Sequence, residues 1–231
     1  MYGQFFILFG LILVGYYCNK KGYLPLETNK NVGHMVMRVT IPAMLITTIA
    51  SIEITDRVLR AFLLSAAGQI AMMVVFGFLM RQYGRKRGLD SRLLPMLDLT
   101  AGSLNTGFIG LPVTMIFFGQ AGIIYMSAGV LALNLYLWSY GVYLISDKKA
   151  TGAAAIGKSF LQGAINPNCI SILLGLLLAV THTARFVPTV VLGFLTKVGD
   201  LSTPLSLIYI GALAGGSGIV QLFKEKMALE I

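Results

Sequence analysis

Polar and helix-breaking residues interrupt an apolar stretch near the middle of this chain, at Asn105, Thr106, Gly107, Gly110 and Pro112. Proline removes a backbone donor and clashes with the preceding turn, while glycine permits close approach of another backbone or a solute. At membrane depth the freed backbone groups need partners, so such a break persists only where protein buries it or it lines a watery cavity. The run predicts two half-helices that meet near the middle of a membrane. The alternative is a proline-kinked helix whose glycines serve tight packing.

The ends of these half-helices indicate which charge the break would favour. A half-helix that begins near Pro112 points free N–H groups and the positive end of its dipole at the break, which favours a carboxylate. Asn105 and Thr106 can donate side-chain hydrogen bonds, and the half-helix that ends before Gly107 offers carbonyl groups to a cation or to water. We therefore expect substrate contacts from the whole run, from Asn105 to Pro112. The alternative is that Asn105 only caps a helix end.

Asp98 is a second candidate, because it lies seven residues before Asn105, two turns along the same helical face. Burial at membrane depth would make its carboxyl group a proton acceptor in coupling. Alternatively, since Arg92 is only six residues away, Asp98 lies near the cytoplasmic interface and is solvated. The sequence leaves both interpretations open.

Arg38 and Asp200 form a third candidate pair, since each lies four residues before a proline, Pro42 or Pro204, that breaks a span. Opposite charges at such equivalent positions predict a structural salt bridge, with a role in substrate electrostatics as the alternative. Tyr136, Trp138, Tyr140 and Tyr143 are expected to form an interfacial aromatic belt, with an aromatic substrate platform as the alternative.

The composition identifies the elements that must position these residues. Hydrophobic residues make up 56% of the chain, charged residues 12%, and the mean hydropathy is +0.79, whereas a soluble domain has about 25% charged residues. An all-α polytopic membrane protein is predicted, with a broken fourth helix among about seven spans. The first span lacks a basic n-region and a cleavage site, so it is interpreted as a retained helix. The expected spans cover residues 2–18, 31–52, 58–80, 93–117, 121–146, 164–183 and 189–213.

The formal net charge of +9 is a topology signal and does not indicate a nucleic-acid partner. Thirteen Lys and Arg residues lie in the segments after odd-numbered spans, and three after even-numbered ones. The positive-inside rule then places the N-terminus outside and the C-terminus in the cytoplasm of a plasma-membrane protein. Cys18 and Cys169 lie near the cytoplasmic face, where thiols stay reduced. We expect no disulfide, no metal site and no cofactor.

An ordered pattern of glycine and proline recurs along the chain at nearly constant offsets of 165, 163 and 162 residues. It consists of Gly10, Pro25 and Pro42, then of Gly175, Pro188 and Pro204. An odd number of spans separates the copies, so the second is inverted in the membrane, as in many secondary transporters. The repeat predicts a first unit at 1–147 and an incomplete second unit at 148–231. Chance similarity between leucine-rich helices is the alternative.

Several blocks along the chain make it resemble the auxin efflux carrier family. They are Lys21–Pro25, Thr40–Pro42, Asn105–Pro112, Asn134–Trp138, Asn166–Pro167 and Pro204–Ala212. The resemblance implies a secondary carrier of small organic anions, either carboxylates such as malate or malonate or auxin-like acids, that works by alternating access. Whether protons, sodium or the membrane potential alone drives transport is left open by the sequence. The resemblance also implies ten spans in two inverted repeats of five. Spans one, two, six and seven form a scaffold that dimerises, and the other spans form a mobile transport unit.

The seven spans found here leave other functions open. The chain is expected to be a fragment or truncated product of a ten-span carrier, or one whose remaining spans come from another chain. A seven-helix receptor or retinal protein, with Lys197 in the last span, is an alternative, as is a fragment that does not transport. An enzyme is not expected, because no nucleophile and base, paired carboxylates or phosphate loop occur at a usable spacing.

Overall fold

A computed structural model describes residues 2–145 and 166–216 of the chain. These residues form α-helices joined by short turns, with no strand among them, which confirms the all-α prediction. The α-helices are α1 (Tyr2–Lys20), α2 (Leu26–Met35), α3 (Ile41–Ala50), α4 (Asp56–Lys86), α5 (Leu94–Gly102), α6 (Leu111–Leu135), α7 (Val142–Ile145), α8 (Pro167–Val180), α9 (Thr189–Asp200) and α10 (Ser202–Gly216). Wider π-helical turns cover Val36–Thr40, Thr106–Gly110 and Tyr136–Gly141, and a 3₁₀ turn covers Thr183–Phe186.

The expected membrane spans correspond to these helices. Four continuous helical stretches among the described residues are long and apolar enough to cross a membrane, namely Leu26–Ala50, Asp56–Lys86, Leu94–Gly141 and Thr189–Gly216. The third has 48 residues, more than twice the ~20 that one crossing needs. α1, with 19 residues, and the shorter α8 account for the first and sixth spans. The predicted end of the fifth span and start of the sixth lie outside the described residues.

A single glycine separates the fourth and fifth expected spans inside the 48-residue stretch. Gly119 has φ +61° and ψ −157°, a conformation that is essentially restricted to glycine. The sequence places a boundary at the same point, between residues 117 and 121. Gly119 therefore divides the stretch into two segments, each close to the length of one crossing.

The helices pack into two groups. In the first bundle, which we define as α1–α3 and α8–α10, α1 and α2 pack on α10, and α3 packs on α8 and α9. In the second bundle, α4–α7, α4 packs on α5 and α6, and α5 packs on α7. Expected spans one, two, six and seven thus lie together, and spans three, four and five lie together. Span one packs against span seven, and span six packs against span two.

The first bundle depends on glycines that bring helix backbones into contact. A Cβ atom at Gly15 of α1 would overlap the carbonyl oxygen of Ile208, and one at Gly211 of α10 would overlap the carbonyl oxygen of Ile12. Further along, Gly215 lies against Asn19, so α1 and α10 run parallel. Small residues permit this close crossing in membranes, where packing contacts replace the hydrophobic effect.

We expect Gly211→Ala to lower stability by about 1–3 kcal/mol, because the added methyl group overpacks the α1–α10 contact. The midpoint of thermal unfolding in detergent measures the effect. Gly10→Ala is the matched control, since a Cβ atom there would meet no other atom within 4 Å. Equal midpoints for the two variants would contradict the close crossing.

Candidate functional site

The break in the fourth expected span lies at residues 103–105. α5 ends at Gly102, Ser103 is extended with ψ 97°, and helix resumes at Thr106. The Ser103 hydroxyl donates to the carbonyl of Leu99 at 2.6 Å. Asn105 caps the new helix, because its Oδ1 accepts from the amide of Phe108 at 3.1 Å. The interruption thus satisfies backbone groups at both of its ends.

This position corrects the predicted start of the second half-helix. The helix begins at Thr106, six residues before Pro112, so Gly107, Gly110 and Pro112 are helical and do not lie in the break. Proline in a helix lacks a donor and clashes with the carbonyl four residues earlier. The chain accommodates Pro112 with the π turn at Thr106–Gly110, which the Gly110 amide closes by donating to the Asn105 carbonyl at 3.0 Å.

Pro42 shows the same local solution. The π turn at Val36–Thr40 ends two residues before Pro42, just as the turn at Thr106–Gly110 ends two residues before Pro112. Wide turns of this kind are a recognised way to absorb a disturbed helical hydrogen-bond ladder. In the seventh expected span, Leu201 interrupts the helix three residues before Pro204. Pro42, Pro112 and Pro204 therefore all follow a distortion of their own span.

The segment after the break faces the first bundle. The rings of Phe108 and Tyr209 stack with centroids 4.5 Å apart, and a Cβ atom at Gly107 would lie 3.3 Å from the Met37 sulfur. Tyr209 in turn lies against Gly33 of α2. The break is therefore placed where the two bundles meet, and an aromatic pair closes the contact beside it.

Two polar side chains at the break remain available to a ligand. The Thr106 hydroxyl is buried and has no hydrogen-bond partner among the described residues. Asn105 is exposed, and its side-chain oxygen makes the capping bond while its amide nitrogen makes none there. A buried hydroxyl without a partner carries a desolvation cost of about 1–3 kcal/mol. A bound oxygen-rich ligand would offset that cost.

Asp98 is completely buried, so of the two interpretations that the sequence leaves open, the solvated carboxylate at the interface is the wrong one. Its Oδ2 accepts from the Tyr140 hydroxyl at 3.0 Å and lies 3.6 Å from Nη1 of Arg81. Its Oδ1 packs against Gly77 and has no hydrogen-bond partner among the described residues. The packing of α5 on α4 brings Arg81, and not Arg92, to the carboxylate.

Sequence reasoning missed Arg81 and Tyr140 as partners of Asp98. Tyr136 is also buried, and its hydroxyl lies against Gly77 and Gly102, so the expected aromatic belt is wrong for Tyr136 and for Tyr140, which bonds to the buried Asp98. Tyr143 is exposed, and the side chain of Trp138 lies outside the described part of the structure. One feature of the sequence indicates these partners. Gly77 and Arg81 lie one helical turn apart, as do Tyr136 and Tyr140, so each pair presents a contact surface on one side of its helix.

The expected salt bridge between Arg38 and Asp200 is absent from the described residues. Arg38 is exposed in the π turn of the second span. Asp200, at the end of α9, lies beside a later part of that span, because its neighbour Gly199 packs against the backbone of Met44 in α3. Six residues separate Arg38 from Met44, which is about 9 Å along a helix. Arg38 and Asp200, which the sequence places four residues before their prolines, therefore do not pair here.

A family model described as "Membrane transport protein" matches residues 1–222. The chain belongs to this family. The family is that of the auxin efflux carriers, so the resemblance seen in the sequence is confirmed. Membership supports a membrane transporter over a seven-helix receptor or retinal protein.

A relative from Methanothermobacter thermautotrophicus, named as an uncharacterized transporter, is 26% identical over 204 residues. The match covers 87% of this chain and 64% of that protein. The chain therefore spans less than two-thirds of the length of this curated relative.

We expect Asp98→Asn to destabilise the protein by about 2–3 kcal/mol, because it leaves the Arg81 charge without its partner in a mostly buried site. Arg81 keeps 30% of its side chain exposed, and water moderates the loss. The double variant Asp98→Asn/Arg81→Gln should recover more than half of it, as measured by a double-mutant cycle of denaturant unfolding. Additive losses would show that the pair contributes no coupling energy.

Proposed function

We propose that this chain acts as a secondary carrier of small organic anions, such as the carboxylates malate or malonate, by alternating access. The observation that carries this proposal is the broken helix at residues 103–105, placed between two helix bundles with the Thr106 hydroxyl unpaired beside it. Discontinuous helices at the interface between repeats are the usual substrate sites of secondary transporters. The membrane transport family of the chain is consistent with this function.

A carboxylate suits the chemistry of the break. The helix that starts at Thr106 directs the positive end of its dipole toward residues 103–105, and the Asn105 amide nitrogen and the Thr106 hydroxyl add two side-chain donors. Hydrogen bonds to a charged ligand contribute about 1.5–3 kcal/mol each. Gly107 and Gly110 support the site indirectly, because a side chain at Gly110 would overlap the Met126 sulfur and one at Gly107 would press against Met37.

The division into two bundles supplies the moving parts of the proposal. The first bundle, with the distorted spans at Pro42 and Pro204, acts as the scaffold, and the second bundle carries the break across the membrane. Contacts between the bundles include aromatic pairs, Phe108 with Tyr209 and Phe5 with Phe117. Such apolar contacts can exchange without leaving a charge unpaired. We assign residues 1–147 to one repeat and 148–231 to part of an inverted second repeat.

The proposed carrier has a defined orientation in the membrane and forms a homodimer. The unequal distribution of basic residues places the N-terminus outside the plasma membrane and the C-terminus in the cytoplasm. A homodimer would form through the scaffold spans, in keeping with the family resemblance. Asp98 acts as a structural charge that holds α5 on α4, so that the break keeps its position relative to the second bundle.

The proposed function predicts saturable uptake of radiolabelled malate or malonate into proteoliposomes that contain the chain, under imposed pH and potential gradients. Asn105→Ala and Thr106→Val should each reduce kcat/KM about tenfold or more, since each removes one donor to a charged ligand. Thr181→Val, at an exposed helix end, is the matched control and should retain full uptake. No uptake by folded, inserted protein would contradict carriage by this chain alone.

The structural role of Asp98 predicts that Asp98→Asn lowers the amount of folded carrier but leaves the dependence of uptake on a pH gradient unchanged. Initial rates, normalised to inserted protein, measure this at several external pH values. Loss of the pH dependence in the variant would instead identify Asp98 as the proton acceptor.

A further inference from the structure

A polar cavity of about 310 Å³ lies between the two bundles, apart from the break. Its walls come from α3, α9 and α10 of the first bundle and from Met115 and Gln120 of the second. Met44, which also lines it, lies seven residues beyond Met37, the residue that faces Gly107. The cavity is therefore about 10 Å along the second span from the point where Met37 faces Gly107.

Three of the five hydroxyl groups that line this cavity already donate their protons to backbone carbonyl groups, and Thr48 and Thr203 carry the other two. Thr47 donates to the carbonyl of Ala43 at 2.9 Å, Ser51 to that of Thr48 at 2.8 Å and Thr196 to that of Leu192 at 2.8 Å. A hydroxyl group has one proton to donate and two lone pairs. These three side chains consequently offer lone pairs, and not protons, to whatever occupies the cavity.

Asp200 adds a negative charge to the same wall. It lies well inside the helical stretch Thr189–Gly216, is exposed to the cavity, and forms no ion pair with any described residue. No Lys or Arg occurs among the residues that line the cavity. Arg38, in the π turn before α3, and Lys197, on the same helix as Asp200, are not part of the lining. An ionisable residue within a membrane span is costly and indicates a function.

We propose that this cavity binds a small monovalent cation, for which Na⁺ is the natural probe. Carboxylate, hydroxyl and amide oxygens are the ligands that hard cations prefer, and Asp200, Thr47, Ser51, Thr196 and Gln120 can supply them. One carboxylate balances one positive charge, whereas divalent cations usually require several. An organic anion would meet the like charge of Asp200, so the cavity favours a cation over the substrate.

The position of the cavity connects this cation to movement. Gln120 belongs to the second bundle and follows the Gly119 turn, while Asp200 and the hydroxyl groups belong to the first. Displacement of one bundle along the other would separate Gln120 from Asp200 and weaken the site. Cation binding thus favours one arrangement of the bundles and couples to transport. This coupling step rests on the proposed carrier function, but cation binding does not.

Thermal unfolding of the full chain in detergent, without substrate, tests the binding step. Raising NaCl from 0 to 200 mM at constant ionic strength, with choline chloride as the replacement salt, should raise the unfolding midpoint saturably by several degrees. Asp200→Asn should abolish the rise. Asp56→Asn, an exposed acid at the start of α4, should retain it. An equal response to choline and Na⁺, or a full response in Asp200→Asn, would overturn the proposal.

A second pair of variants decides the matter if Asp200→Asn does not fold. Thr196→Val and Thr181→Val each remove a threonine hydroxyl that donates to its own helix, but only Thr196 lines the cavity. Thr196→Val should raise the half-saturating Na⁺ concentration about tenfold, and Thr181→Val should leave it unchanged. Equal values would refute ligation by the cavity. Uptake of malate with and without Na⁺ is measured separately, so absence of carriage does not affect the binding result.

Discussion

The structure depends on one constraint, which is that backbone groups inside a membrane must be satisfied by the protein itself. The chain breaks a spanning helix and still meets this requirement. Asn105 caps one end of the interruption, the Ser103 hydroxyl bonds to the other, and the π turn at Thr106–Gly110 absorbs the missing donor of Pro112. The Thr106 hydroxyl has no partner among the described residues. The local polar balance of the break is therefore nearly complete.

The two bundles are held by different kinds of contact. The first bundle is joined by backbone contact at Gly15 and Gly211, and any side chain there would force α1 and α10 apart. Between the bundles, the contacts beside the break are the stacked rings of Phe108 and Tyr209, and the Met37 side chain against Gly107. Because α1 and α10 touch through their backbones, sliding one along the other would bring larger side chains into the contact and would first require the two helices to separate. Contacts between rings and flexible methionine permit small displacements at low cost. The structure is thus rigid within the first bundle and more adaptable between the two.

Sequence reasoning predicted the helical class, the apolar segments and the location of the broken helix, because each depends on local composition and on proline. It did not predict where the second half-helix begins, since apolar periodicity does not distinguish an α turn from the π turn that precedes Pro112. Nor did it find that Arg81 pairs with Asp98, because the packing of α4 on α5 decides that contact across 17 positions in the chain. The pairing of Arg38 with Asp200 was wrong because matched positions in two copies need not be adjacent in space.

The two π turns that precede prolines meet one another, since Met37 lies in the first and Gly107 in the second. A π turn closes one residue later than an α turn, so changing it to α geometry rotates the following helix by about 100°. Such a rotation would turn Met37 away from Gly107 while the ends of both spans stay at the membrane surfaces. A change of the second turn to α geometry would therefore change which side chains the fourth span presents to the first bundle.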